Sequence, residues 1–456
     1  MKADVAAGKR PAPGPPREYR FPRFERRRLD NGLTLLVAPV AKLPLATALM
    51  VVDGGATADA EGLEGAATLT AQLLLEGSMA TPLGAELTEK FERLGAAVDA
   101  HASWDAAIVR MTAMTDRLEP AMALFAEVLT TPAFPPREIE RLRAERLAEL
   151  LQLRAEPRGL ADEMFERFTY DAASRYARPD GGTEATVRSI TREDIAGFYE
   201  RRYRPGGATL IVAGDVSVDH VERLARSMFG DWTGGAPAVA LTTDAPARPS
   251  RAVHVVAKEG APQSEIRIGH PGVPRMHPDY FPIVVMNAVL GGLFSSRINL
   301  NLREAHGYTY GAFSEFDWRR QAGPFVVSTA VKSDVTAAAA GEILLEIDRM
   351  RAEEIGEEEL SLATSYLDGV FPIRFETTAS IASALASFIV YGLPDDYFDT
   401  YRAKIRAVTR GDVLEAARAH LHPDALQMII VGDPESTMAP LEAMGFGPVA
   451  VHAADV

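Results

Sequence analysis

TREDIAGFYERRYRPGGATLIVAGD (residues 191–215) and TRGDVLEAARAHLHPDALQMIIVGD (residues 409–433) are two versions of one pattern, offset by 218 positions. Each opens with Thr-Arg-x-Asp, and a threonine three residues ahead of an aspartate predicts a capped helix. Each then passes a proline and ends in a short apolar strand that exits through Gly-Asp. Thr191 to Asp215 and Thr409 to Asp433 are both 24 positions apart. Upstream, Tyr176-x-x-Pro179-Asp180 is echoed by Tyr391-x-x-Pro394-Asp395, so the likeness extends beyond one strand. Solenoid repeats recur every ~20–50 residues, so a period this long means duplicated domains.

Outward from the repeat, the rest of each half reads as mixed helix and strand. Asn31-Gly32 is a hairpin signal between two strand-like runs that begin at Phe24. EGLEGAATLTAQLLLEGS (61–78) has the composition of a largely buried helix, with Gly77 placed to end it. A helix over 87–95 leads to alternating strand text up to Met114, and further helices are predicted over 118–129 and 137–153. Hairpin-joined strands mixed with helices favour an α+β fold over a purely parallel sheet. GGAPAVALTTDAPARPSRA (234–252) reads as the linker. The predicted divisions are a basic Pro-rich tail (1–23), a first α+β domain (24–233), the linker, and a second α+β domain (253–456). Two such halves facing one another would enclose a cleft or chamber.

The chain has 456 residues, 47% of them hydrophobic, which suits two domains with ample core material. Its formal charge of −15 argues against nucleic acid as the main partner, since phosphate binding needs concentrated Lys and Arg. The first 28 residues are the exception, with nine Lys or Arg against three Asp or Glu, and their PAPGPP run predicts a loose arm. The chain has no cysteine, which excludes disulfides, thiolate metal sites and thiol nucleophiles. No signal peptide and no membrane span is read in the sequence, so a cytoplasmic setting is the expectation.

LGGLFSSRINLNLREAHGYTYGA (Leu290–Ala312) is the stretch densest in groups that can touch a ligand. Gly291 and Gly292 suggest a hinge or helix start, and Phe294, Ile298, Leu300 and Leu302 suggest an apolar stripe. The nine histidines show no metal-ligand spacing, and GxSxG, P-loop and GxGxxG patterns are missing. From the residues alone, Arg303 reads as an ordinary helix-end cation, and Tyr308 and Tyr310 as alternate residues of a strand.

A duplicated α+β half with an NGL hairpin, a GxAxxxxxxLxxGS helix, a TxxD helix before an IVAGD strand, and LGGxFSSRxxxxLREAxGYTYGA resembles the pitrilysin and mitochondrial-processing-peptidase family. Active members carry His-x-x-Glu-His on the first buried helix, where the histidines bind zinc and the glutamate activates water. Alignment on the Gly-x-Ala start and Gly-Ser end puts Thr68, Ala71 and Gln72 at those positions. Glu149, or alternatively Glu145, lies where the family places its third ligand. One carboxylate without imidazoles does not hold zinc, so the resemblance implies no metal, no cofactor and no hydrolysis for this chain alone.

The resemblance also implies a use for the opening of the second half. In heterodimeric members one subunit holds zinc and the other supplies an arginine and a tyrosine that hold substrate and support the reacting carbonyl. Arg303 and Tyr310 match that pair at the family spacing, with Tyr308 as the fallback phenol. Arg297 is then expected to anchor its helix, and His306 to be a polar surface residue. The expected function is a non-catalytic subunit that closes a chamber with an HxxEH-bearing partner, with zinc in the partner and peptides or unfolded segments as substrate. The alternatives are a non-enzymatic scaffold subunit, as in respiratory-complex core proteins of this fold, or a peptide-binding homodimer.

Overall fold

The repeated strand occupies the same place in both halves, which the computed structural model describes over residues 18–237, 248 and 250–454. The first half contains β1 (Glu25–Arg28), β2 (Thr34–Pro39), β3 (Leu45–Val52), β4 (Ala97–Ala102), β5 (Ala107–Met114) and β6 (Ala208–Gly214). The second contains β7 (Ala252–Ala257), β8 (Gln263–Pro271), β9 (Ala312–Phe316), β10 (Pro324–Lys332), β11 (Gln427–Gly432) and β12 (Val449–His452). The sheet orders are β1-β2-β6-β3-β5-β4 and β12-β7-β11-β8-β10-β9. In each, the repeat strand is central: β6 is parallel to β2 and antiparallel to β3, and β11 is parallel to β7 and antiparallel to β8. The far edge is filled differently. β1 folds back on β2 through the Asn31-Gly32 hairpin, whereas β12 arrives parallel to β7 after the helix Pro434–Ala443.

The capped helices that precede the repeat strands form as expected. Thr191 Oγ1 accepts the Asp194 N–H and Asp194 Oδ2 accepts the Thr191 N–H (3.2 and 2.8 Å), and Thr409 and Asp412 do the same (3.1 and 2.8 Å). The helix read over 61–78 is shorter, Ala66–Leu73, and relaxes through turns to Gly77, whose φ of 142° suits glycine.

The halves do not face one another across a cleft; they share a core. Runs such as Leu35-Leu36-Val37-Ala38 and Leu210–Ala213 are buried at every position, so each sheet is covered on both faces. One face of the first sheet packs on its own helices. Its other face, with Leu36, Leu49, Val51, Ile211 and Ala213, joins the second half's core and meets the helix Thr378–Val390. Reciprocally, Leu160, Met164 and Phe165 of the helix Pro157–Thr169 pack on Val256, Val326, Ile429 and Val431 of the second sheet. Each half therefore lends the other a helix. Ile381, Leu385 and Phe388 are almost fully buried, and each such side chain stabilises the fold by about 1.5–3 kcal/mol.

The exchanged helices end on Tyr170 and Tyr391, whose hydroxyls donate to Ala322 O and Trp318 O, both at 2.9 Å. By position on the helix, Tyr170 is thus the counterpart of Tyr391, rather than the Tyr176 suggested by the sequence echo. The β9–β10 turn that receives both hydroxyls sets Arg319 against the rings of Trp104 and Tyr176, which themselves meet edge to face, and pairs it with Glu166 (2.5 Å) and Asp317 (2.6 Å).

Residues 18–23, expected within the tail, belong to the fold. Phe21 stacks on Phe398 with centroids 3.8 Å apart, and Tyr19 lies against Phe371 and Phe375. Residues 18–23 thereby strap onto the second half before the chain enters the first sheet. The tail residues 1–17 and the linker residues 238–247 and 249 lie outside the described residues. One helical stretch, Tyr280–Ala305, is long and apolar enough by length and composition to cross a membrane, which the sequence reading had not marked. Just over half of its apolar window (56%) is buried inside the protein.

Candidate functional site

The helix Ala66–Leu73 is held at its start rather than along its exposed side. Asp59 accepts the Gly65 and Ala67 N–H groups (2.9 and 2.8 Å) and pairs with Arg175 (3.1 Å). Burial pushes the Asp59 carboxyl up to about 6, against the pull of Arg175 and the two amides. Gly65, with φ of 100°, lets the helix start approach Gly181 O. Along the helix Thr68 and Gln72 are half-buried and Ala71 is fully buried. The site does not fit zinc. A hydroxyl, a methyl and an amide occupy the family's metal and base positions, and Ala71 is closed in by packing where a carboxylate is required.

The third-ligand candidates are also committed elsewhere. Glu149, exposed, pairs with Arg146 (3.1 Å), and Glu145 with Arg141 (2.9 Å) on the surface of the helix Pro136–Ala155. The chain's own residues therefore offer no route to metal-assisted hydrolysis at this helix.

Leu290–Ala312 is built differently from a simple helix with an apolar stripe. Gly291 and Gly292 close the helix that starts at Tyr280, through a π-helical turn, and neither has positive φ. Glycine is needed at 291 for close approach, because a Cβ there would lie 2.5 Å from Ser314 N. The pair thus seats the helix on β9 instead of starting a new one. Ile298 and Leu302 are buried, but Phe294 and Leu300 are exposed. Arg297 anchors the segment as expected, donating to both Glu359 oxygens (2.6 and 2.8 Å) and holding that carboxyl below its usual range.

Arg303 is at the surface, its guanidinium 4.6 Å from the centre of the Phe294 ring. Tyr310 is 95% exposed. Its backbone is nonetheless pinned, by residues the sequence reading passed over. Thr309 Oγ1 accepts the Gly311 N–H (3.1 Å), Thr329 Oγ1 donates to Gly311 O and to Thr309 Oγ1 (both 3.0 Å), and Asn299 Oδ1 accepts the Ala312 N–H (3.1 Å). Thr309, next to Tyr310, was the one local signal; Asn299 and Thr329 lie far from it along the chain. Tyr308, half-buried, stacks on His306 (4.9 Å), and His306 lies 3.8 Å from Glu342 on the surface. Phe313 adds another exposed ring one residue into β9. The result is a surface of exposed rings around Arg303, which lies 3.6 Å from Glu304, beside an edge strand whose only ladder partner among the described residues is β10.

Duplicated halves, exchanged helices and a first helix with Thr68, Ala71 and Gln72 in place of histidines and glutamate define the scaffold. Residues 39–178 match the family described as insulinase (peptidase family M16), and residues 189–367 match the peptidase M16 inactive domain. The chain belongs to peptidase family M16.

It is 28% identical over 280 residues to a probable mitochondrial-processing peptidase subunit beta of Schizosaccharomyces pombe, a match covering 59% of each chain. An uncharacterized zinc protease of Rickettsia bellii is 21% identical over 412 residues, covering 89% of this chain and 97% of that one. Among solved structures, the peptidase M16 inactive domain of Pseudomonas fluorescens superposes with a TM-score of 0.84 at 25% identity, over 90% of this chain and 98% of that one. A protease from Helicobacter pylori shares the fold, with a TM-score of 0.85 at 19% identity over 91% of this chain and 100% of that one.

Proposed function

We propose that this chain is the non-catalytic subunit of a heterodimeric zinc metallopeptidase, pairing with a homologous HxxEH-bearing chain that holds the zinc. The observation that carries the reading is an asymmetry within one polypeptide. The metal positions Thr68, Ala71 and Gln72 hold nothing that binds or activates, while Arg303 and Tyr310 are present on a pinned surface with the phenol outward. A relative that bears the name of one subunit of a processing peptidase supports the same reading.

The chemistry follows from the two side chains. The Arg303 guanidinium is a permanent cation with several donors and holds substrate backbone carbonyls. The Tyr310 hydroxyl donates to the carbonyl oxygen as that oxygen gains negative charge at the partner's zinc centre. An extended peptide adding to the open edge of β9 would run past Tyr310, gripping backbone without demanding a sequence, so the substrates are peptides or unfolded segments.

The test is co-expression with an HxxEH-bearing homologue from the same source. The expected result is a stable heterodimer whose peptidase activity needs both chains and is lost on chelation. A partner chain that is fully active alone would overturn the reading, and a stable complex with no activity would point to the scaffold role instead.

A further inference from the structure

His277, Asp279 and His420 come together although no spacing along the chain suggests it. His277 and Asp279 lie in the turn that leads into the helix Tyr280–Asn287, and His420 is the last residue of the helix Arg410–His420. One donor atom from each falls within 4.8 Å of the other two. His420 Nε2 is 2.8 Å from Asp279 Oδ2, His277 Nδ1 is 3.9 Å from the same oxygen, and the two imidazole centroids are 4.7 Å apart. A tetrahedral ion with bonds near 2.0–2.1 Å separates its donors by about 3.3 Å, which lies between those two distances.

Two features set this trio apart from a chance surface cluster. Asp279 sits at the N-cap of its helix, where an aspartate ordinarily accepts the first free amides, yet its side chain makes no capping bond. Its carboxylate is turned to the imidazoles instead. The frame is also rigid before any ion arrives. The His277 N–H donates to Pro274 O (3.0 Å) and the Tyr280 N–H donates to His277 O (3.1 Å), while the Asp279 N–H, which donates to His277 Nδ1 (3.1 Å), gives up that contact when the nitrogen takes an ion. His420 is 8% exposed, on a helix that packs its buried Val413, Ala416 and Ala417 into the second half's core.

We infer that His277, Asp279 and His420 form a binding site for a divalent transition-metal ion, with zinc the best fit to two imidazoles and one carboxylate. An ion there would staple the end of the helix Arg410–His420 to the entry of the helix that carries Gly291 and Gly292. Two nitrogens and one oxygen leave a coordination position for water, and the donor set suits borderline ions over calcium or magnesium. The site is separate from Thr68, Ala71 and Gln72 and does not depend on the proposed partner. It assigns a metal role to histidines whose chain spacing gave none.

The test uses the full chain, freed of metal by a chelator and without a polyhistidine tag, titrated with Zn²⁺ and separately with Co²⁺. The expected result is one equivalent bound, a tetrahedral Co²⁺ absorption band, and a rise in melting temperature on zinc addition. Asp279→Asn keeps the shape of the side chain and should weaken binding at least about tenfold. His277→Ala, on a solvent-facing turn, should do the same and also remove the Co²⁺ band. Absence of stoichiometric binding, or binding unchanged in both variants, overturns the site.

Discussion

Tyr310→Phe removes one oxygen from a ring that is 95% exposed, so its effects on folding and on function separate cleanly. The turn beneath it is held through Thr309, Thr329 and Asn299, none of which needs the phenol. The isolated chain should therefore keep its urea midpoint, with a stability change within about 0.5 kcal/mol. In the complex the same change removes a donor aimed at developing negative charge. Loss of one such donor costs about 2.7–4 kcal/mol, a fall of about 10²–10³ in kcat with KM little altered, because the bond strengthens only in the transition state. Arg303→Ala should act on substrate hold and raise KM. It also loses the stacking on Phe294, worth about 0.5–1 kcal/mol of stability. The assay is steady-state cleavage of an internally quenched unfolded peptide by the reconstituted heterodimer, with zinc content and dimer mass measured alongside. A Tyr310→Phe complex that retains kcat within about threefold refutes the role. Tyr308→Phe then tests the fallback phenol, which is expected to be silent while Tyr310 is present.

Phe21→Ala should cost about 3–5 kcal/mol and expose Arg20 and Arg23 to faster tryptic cleavage, because the ring is buried against Phe398 and Phe375; a loss below about 1 kcal/mol would mean the strap is not an anchor. Gly291→Ala forces a methyl against Ser314 and should cost about 1–3 kcal/mol in chemical denaturation, whereas a neutral result would contradict the close seating on β9. Burial holds the His254 imidazole down at about 4, between Phe168, His452 and Gln427, with Arg248 adding repulsion. The unfolded chain protonates this group below about 6.5, so its stability contribution is complete above that pH and falls as pH drops toward 4. Discounted for its partial exposure, the acid loss is about 1–2 kcal/mol, and urea midpoints at pH 7 and 4.5 should show it in the unmodified chain and less in His254→Gln.

What the sequence made legible was local. Threonine and aspartate three residues apart fix a capping box whatever lies around them, and Asn31-Gly32 fixes a hairpin, so those elements formed where expected. Met428–Val431, read in the sequence only as a short apolar strand, is buried at every position, so both faces of its sheet are covered. The exchange of the helices Pro157–Thr169 and Thr378–Val390 was out of reach, since a helix face that suits one apolar sheet suits its duplicate equally well. Periodicity also misplaced Phe294 and Leu300: Phe294 lies in the turn between two helical segments, and Leu300, two residues from both Ile298 and Leu302, falls on the opposite face from them.

The same separation between local frame and side-chain chemistry explains how this chain keeps the family fold without the family's ligand residues on its first helix. The first helix is fixed by Asp59, by the close approach at Gly65 and by buried Ala67, Leu69 and Leu73, all of them independent of positions 68 and 72. Those two positions are half-exposed, so exchanging imidazole for hydroxyl or amide there leaves the core intact. Ala71 is different, because its methyl is fully buried and a glutamate there would need both space and a charge partner. Thr68→His with Gln72→His should therefore fold normally. Adding Ala71→Glu should destabilise the chain by an amount that reports how far the base position has closed.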